Sequence, residues 1–243
     1  MRRIGIPELF LGLLSLAVAA VLVAHSISGT IHDARHTRDT VTVTGSARKP
    51  ISADLVQWSL TVETEAAEPA AAARQLHRDA AAVRTFLVKA GIEPAAIAPQ
   101  VVSTETVVHR LPHHRTRTSY RVYQRLEIQT RDLDTVQATS TRVGDLLERG
   151  IRVEAEAPAY ISTELSKAKL DALQSATADA RNRAEILVKG LGGKLGRVRA
   201  SSLGVYQITP RFSTNVTDYG VNDTSSRDKD VNAVVSVTFD VKD

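Results

Sequence analysis

Apolar and polar residues alternate strictly in four stretches of the chain, and this alternation predicts β-strands with one buried and one solvent-facing side. In the clearest stretch, Val56, Trp58, Leu60 and Val62 share one face, and polar residues fill the alternate positions. The strong stretches are residues 41–44, 56–63, 120–128 and 231–241, and weaker patterns predict strands at 99–109, 150–157 and 196–208. The first strand is expected to stop at Gly45. Because the strong strands have a polar face, we expect antiparallel sheet.

Apolar residues recur at three- and four-residue steps in three other stretches, a spacing typical of helices with one buried side. The predicted helices cover residues 68–90, 132–147 and about 162–189. Asp132 stands where it would cap the second helix, and Gly91 and Gly190 stand where the first and third would end. The third carries a stripe of small residues at every fourth position: Ala168, Ala172, Ala176, Ala180 and Ala184. Intermixed helices and strands without βαβ order predict an α+β fold, mainly antiparallel sheet with about three helices packed on it.

Residues 9–27 form an apolar run whose only ionisable residue is His25. A helix over this run would be about 28 Å long, close to the roughly 30 Å hydrocarbon core of a bilayer. Arg2 and Arg3 precede it, so the positive-inside rule keeps the N-terminus cytoplasmic and exports the rest. A cleaved signal peptide is the alternative, but the length of the run favours an uncleaved transmembrane helix. We therefore expect a signal anchor in residues 1–27, a polar linker in 28–40 and one exported domain in 41–243.

The composition excludes several classes of protein. With 43% hydrophobic and 24% charged residues, the chain is neither disordered nor a multi-span membrane protein. It has no Cys, which excludes disulfide scaffolds, zinc-thiolate sites, iron–sulfur ligation and thiol nucleophiles. The net charge of +4 is spread along the chain, whereas nucleic-acid binding needs clustered basic residues on one face. No nucleic-acid partner is predicted.

Arginine and histidine are concentrated in residues 106–126, which contain no acidic residue. Much of this cluster falls in a predicted turn between the strands at 99–109 and 118–130. It is either a solvated turn or a site for an anion, a lipid headgroup or an envelope polymer. The candidate anion-binding residues are Arg110, His113, His114, Arg115 and Arg117. A metal held by His109 with a neighbouring histidine is a further alternative, but no carboxylate lies nearby in the sequence to orient such ligands, so we predict no metal site.

No other motif indicates catalysis. Two Ser-x-x-Lys patterns, at residues 46–49 and 166–169, lack the elements that accompany them in penicillin-recognising enzymes. The glycine-rich stretch 190–196 follows a predicted helix, whereas a phosphate loop must precede one. We therefore predict a non-enzymatic protein without a cofactor. The polar segment 209–229 is long for a loop in a compact domain, and our hypothesis is that it reaches a neighbouring subunit.

The order of several short motifs resembles the SIMPL-domain family of bacterial envelope proteins, in particular its membrane-anchored subgroup. The motifs are the opening VTVTGS of residues 41–46, ADLVQW at 53–58, LVKAGI at 87–92, the 120–128 strand, ADARNRAE at 178–185, GKLG at 193–196, GVYQITP at 204–210 and the closing stretch 230–239. This chain differs from many relatives at residues 46–48, where they are Gly-rich, and at Ala53, where they have Pro. The resemblance implies an α+β fold, a periplasmic location and self-assembly, since some members form ring- or channel-like oligomers. It implies no catalytic residues.

These observations favour a non-enzymatic protein of the inner membrane, single-pass, whose periplasmic domain forms a homo-oligomer. A role in envelope or oxidative-stress tolerance follows from the resemblance alone. The alternative is a monomeric or dimeric envelope module that binds an anionic ligand through the Arg/His-rich hairpin at 106–126.

Overall fold

The computed structural model describes residues 39–112, 115–214 and 217–242. The predicted anchor and nearly all of the predicted linker lie outside these residues. Among the residues that are described, no helix combines the length and apolar character needed to cross a membrane.

The described chain is an α+β protein with antiparallel pairing and four α-helices. Its strands are β1 (Thr40–Ser52), β2 (Leu55–Ala66), β3 (Ile97–Arg110), β4 (Thr116–Thr130), β5 (Val153–Ala155), β6 (Ala159–Ile161), β7 (Lys194–Leu203), β8 (Gln207–Pro210) and β9 (Asp228–Lys242). Its helices are α1 (Pro69–Lys89), α2 (Leu133–Ser140), α3 (Gly144–Glu148) and α4 (Leu165–Gly190), with a 3-10 turn at Pro94–Ala96.

The chain divides into two compact units. Within the described residues, unit 1 comprises 39–45, 180–202 and 236–242, and unit 2 comprises 46–179 and 203–235. The boundaries fall inside β1, α4 and β9 and before the last residue of β7, so each of these elements contributes to both units.

Unit 2 contains a five-stranded sheet in the order β3-β4-β2-β5, with β6 also paired to β2. β2 and β4 pair antiparallel from Val56 opposite Thr130 to Ala66 opposite Tyr120. α1 packs against these two strands. The alternation predicted for β2 is confirmed, because Val56, Trp58, Leu60 and Val62 are all buried in the main core.

The second sheet has the order β1-β9-β7, with β8 paired to β9. In unit 1 the backbone N–H of Val241 donates to the carbonyl of Asp39 at 2.7 Å, and the hydroxyls of Thr42 and Thr238 lie 2.9 Å apart. The predicted alanine stripe of α4 is confirmed as a buried face, with all five alanines at 6% exposure or less.

Four details of the sequence prediction are wrong. β1 does not stop at Gly45, because Arg48 and Ser52 bond to Asn232 and Asp228 of β9 and extend the pairing. The segment 150–157 forms only short β5, with β6 following it, and a break at 204–206 separates β7 from β8. The described chain has four helices instead of about three, because the helix predicted over 132–147 divides into α2 and α3.

The break after α2 has a local cause. Thr139, Ser140 and Thr141 lie in succession, and each hydroxyl donates to a backbone carbonyl three or four residues earlier. Such bonds compete with the helical pattern and favour a turn. The predicted cap is confirmed at the other end, where the Asp132 carboxylate accepts from the backbone N–H of Thr135 at 3.1 Å.

Candidate functional site

The β3–β4 hairpin carries the arginines of the Arg/His cluster at its tip. The strands pair as far as Arg110 opposite Thr116, and the backbone N–H of Leu111 donates to the carbonyl of Arg115 at 2.8 Å, so the predicted turn is confirmed. Arg110, Arg115 and Arg117 are exposed. None of the three has a side-chain hydrogen bond or ion pair with another described residue. His113 and His114, the other candidate anion-binding residues, lie outside the described residues.

A charge network covers the polar side of the same sheet, further from the tip. Register places Arg121 of β4 opposite Glu65 of β2 and Glu105 of β3. Its guanidinium nitrogens lie 3.8 Å from Glu65, 3.6 Å from Glu105 and 4.0 Å from Glu63. The Nε of Arg121 is buried and makes no hydrogen bond with the described residues. This cluster is not predictable from the sequence alone, since its members come from three different strands.

Ser119, His109 and Glu65 form a hydrogen-bonded group beside Arg121. The Ser119 hydroxyl donates to Glu65 Oε1 at 2.5 Å, and His109 Nε2 lies 2.8 Å from both of these oxygens. Hydrogen bonds from Ser119 and His109 lower the pKa of the Glu65 carboxyl. A catalytic serine triad instead uses the two different ring nitrogens of histidine to link serine and acid. Since Ser119 and His109 both bond to Glu65, the group holds the β3–β4 hairpin on β2.

His109 is also the residue that was considered as a metal ligand together with a neighbouring histidine. In the described part of the chain, no three His, Cys, Asp or Glu residues are grouped so that they could hold a metal ion.

A buried lysine lies elsewhere in unit 2, in β9. Lys229 of β9 is 3% exposed, and its Nζ donates to the carbonyl of Tyr160 at 2.7 Å and to the carbonyl of Asp223. Burial lowers the pKa of this ammonium, and the nearby Asp223 carboxylate opposes the shift. A cavity of about 170 Å³ lies beside it, lined partly by Leu165 and Ile208. The ammonium of Lys229 donates to two backbone carbonyls, one in β6 and one in the loop before β9. Lys229 therefore links both of these segments to β9.

The segment 209–229 is largely held by its own unit. Ile208 forms an isolated parallel bridge with Asn222, and the Gln207 side chain donates to the carbonyl of Thr217 at 2.6 Å. Phe212 and Tyr219 nevertheless project into solvent. The hypothesis that this segment reaches a neighbouring subunit therefore stays a prediction, now centred on these two aromatic side chains.

The outer edge of β3 is a long unpaired sheet edge. β3 is the terminal strand of its sheet, and no other described strand pairs along its outer edge. Its apolar residues are largely exposed, with Val101 at 84%, Val102 at 46% and Val108 at 57%. Residues 101–108 are all β-branched except Ser103 and Glu105, and Glu105 is the only charged residue among them. A long, apolar and unpaired edge is a template for pairing with another chain.

The family comparison covers most of the chain. The family model SIMPL, described as a protein of unknown function (DUF541), matches residues 41–239. No curated protein matches the chain.

Similar solved structures match only parts of the chain. An unknown protein from Galdieria sulphuraria is 21% identical, with a TM-score of 0.24, covering 44% of this chain and 51% of that one. A candidate amidohydrolase/peptidase from Burkholderia cenocepacia is 15% identical, with a TM-score of 0.20, covering 58% and 36%. A candidate aminohydrolase from methicillin resistant Staphylococcus aureus is 12% identical, with a TM-score of 0.23, covering 57% and 39%. The chain thus spans about half or less of these structures, an overlap too slight to transfer an activity.

Proposed function

Because the chain belongs to the SIMPL family, we propose that it is a non-enzymatic, membrane-anchored protein whose exported α+β domain self-assembles through the open edge of β3. The proposed location is the inner membrane, with a single N-terminal span and the domain in the periplasm. A contribution to envelope or oxidative-stress tolerance is the proposed physiological role.

The open edge of β3 is the observation that supports this proposal. It offers a row of backbone N–H and C=O groups along Ile97–Arg110, together with exposed valines. Two copies related by a two-fold axis would pair these edges antiparallel and satisfy the backbone groups of both chains. Natural proteins usually protect such edges with charge, proline or a covering element. β3 has Pro99 and a β-bulge between Pro99 and Val102 near its start, and residues 102–108 beyond the bulge carry a single charged residue, Glu105.

The test is the mass of the full chain in detergent, measured by light scattering over a concentration series. We expect a discrete oligomer for the natural sequence. The double variant Val102→Lys with Val108→Lys should be monomeric at the same concentrations. Edge pairing would bring lysines of the two copies close together, and their like charges would repel. Val88→Lys is the matched control, since Val88 is also exposed but lies on α1. A natural chain that is monomeric throughout, or a double variant of unchanged mass, would contradict the proposal.

Anion binding by the hairpin tip is a second candidate function. It is favoured by the three exposed arginines at positions 110, 115 and 117, which have no acidic partner in the described chain. Arg121 of the same hairpin, by contrast, is surrounded by three carboxylates. Unpaired arginines at a protruding turn suit contact with a multiply charged envelope polymer or lipid headgroup.

Binding of a short polyphosphate tests this second candidate. Replacing Arg115 and Arg117 by alanine should weaken binding on the order of a hundredfold, since each lost hydrogen bond to a charged group contributes about 1.5 kcal/mol. The control removes the same charge elsewhere, through Arg74→Ala with Arg149→Ala, and should change the affinity much less. Equal losses in both variants would show that only net charge matters.

A further inference from the structure

Large apolar side chains are exposed where α4 ends and turns into β7. Leu191 is 88% exposed and Ile186 is 72% exposed, and Leu187 beside them is half exposed. The buried face of the same helical segment is formed by Ala184 and Val188. The exposed residues are therefore an apolar surface additional to the one that unit 1 buries. We refer to Ile186, Leu187 and Leu191 as the α4 tip.

Unit 1, which contains the α4 tip, is rich in basic residues. The described part of unit 1 has seven basic residues, Arg181, Arg183, Lys189, Lys194, Arg197, Arg199 and Lys242, against three acidic residues, Asp39, Glu185 and Asp240. Two of the acids are already paired, Glu185 with Arg181 at 2.9 Å and Asp240 with Arg199 at 2.5 Å. Lys189, Lys194 and Lys242 are exposed and have no acidic partner among the described residues.

The α4 tip also lies beside the point where the chain enters unit 1. A Cβ added to Gly193 would lie 3.1 Å from the carbonyl oxygen of Lys242, so the turn after α4 touches the end of β9. The neighbouring residue Val241 donates its N–H to the carbonyl of Asp39 at 2.7 Å. Asp39 is preceded by the predicted linker, which spans at most roughly 40 Å from the end of the apolar run even when fully extended. If that run spans a bilayer, the α4 tip is held within reach of its surface.

We propose that the α4 tip docks on the surface of the anchoring bilayer, with its three apolar side chains in the interfacial region and its lysines on anionic phospholipid headgroups. Apolar residues flanked by lysines are the combination that binds such interfaces, because burial of the apolar groups and attraction to anionic lipid act together. The proposal rests on the membrane anchoring proposed above. It goes further by fixing which part of the domain faces the lipid.

Site-directed spin labelling of the full chain tests the docking, because the natural sequence contains no Cys. Leu191→Cys carries a nitroxide in vesicles of phosphatidylcholine with phosphatidylglycerol. The matched control is Leu170→Cys, which replaces an exposed leucine near the other end of α4. We expect the label at 191 to gain accessibility to oxygen and lose accessibility to a water-soluble nickel complex, whereas the label at 170 stays accessible to nickel.

Further measurements separate the alternatives. Replacing Lys189, Lys194 and Lys242 by Gln should return the label at 191 to the accessibility of the control. A label at 191 that loses accessibility to both oxygen and the nickel complex would show that a second copy covers the α4 tip, because contact with protein excludes both reagents, and this result overturns the proposal. Flotation of the chain with the vesicles after a high-salt wash tests the anchor separately. A chain that floats while its 191 label remains in water overturns the docking alone, and a chain that does not float overturns the anchoring as well.

Discussion

Replacing Trp58 by alanine should lower the free energy of unfolding by about 3–5 kcal/mol. Trp58 of β2 is 2% exposed, and its Nε1–H donates to the carbonyl of Glu156 at 2.9 Å. This bond anchors the segment that connects β5 to β6. Both strands pair with β2, but the segment between them does not. Alanine would therefore open a large cavity and free that connection at the same time.

Denaturant unfolding followed by circular dichroism measures this loss, because the variant lacks the only Trp of the chain. Trp58→Phe is the informative control. It keeps most of the apolar contact but leaves the Glu156 carbonyl without its donor, so we expect a smaller loss of about 1–3 kcal/mol. If alanine and phenylalanine were equally destabilising, the hydrogen bond and not the packing of the ring would dominate.

Replacing Gly196 by valine should destabilise unit 1 by about 2–3 kcal/mol. A Cβ at this position would lie 2.6 Å from the Cβ of Asp240 and 2.8 Å from its carbonyl oxygen, distances that real structures do not tolerate. Because the carbonyl belongs to the backbone of β9, a side-chain rotation cannot relieve the contact. β7 and β9 would have to separate, and the ion pair between Arg199 and Asp240 would be disturbed with them.

Hydrogen exchange measured by mass spectrometry gives the local result. We expect faster exchange in peptides covering β7 and residues 236–242, with little change in β2 of unit 2. Gly190→Ala is the control in the same unit, since an added Cβ there meets nothing within 4 Å. A valine variant whose β7 exchanges at the natural rate would show that the two strands can accommodate the side chain.

Alternation predicted β2, β4 and β9 because each has one face in the core, so residue type and burial follow the same two-residue period. The outer half of β3 could be predicted only weakly, because neither of its faces is buried along that part. The break between α2 and α3 depends on three successive hydroxyl residues, a local competition that an apolar pattern does not register. The extension of β1 past Gly45 depends on contacts with β9, nearly 200 residues later in the chain.

One of the candidate sites could be predicted from the sequence and the other could not. The hairpin tip was predictable, because its arginines are neighbours in sequence. The cluster around Arg121 was not, because Glu63, Glu65 and Glu105 reach it through the register of three strands. The cluster follows once Glu63 and Glu65 of β2 are placed opposite the arginines of β4. That placement requires the register of the two strands, which the sequence does not provide.

The three-part origin of unit 1 bears on how the protein is made. Its strands come from the beginning of β1, from β7 and from the end of β9, and β9 pairs with both of the others. A nascent chain emerging N-terminus first releases β1 and β7 before their common partner exists, whereas β3 and β4 can pair as soon as their hairpin has emerged. Synthesis that stalled before β9 would leave β1 and β7 as unpaired strands, the kind of intermediate that chaperones retain and proteases remove.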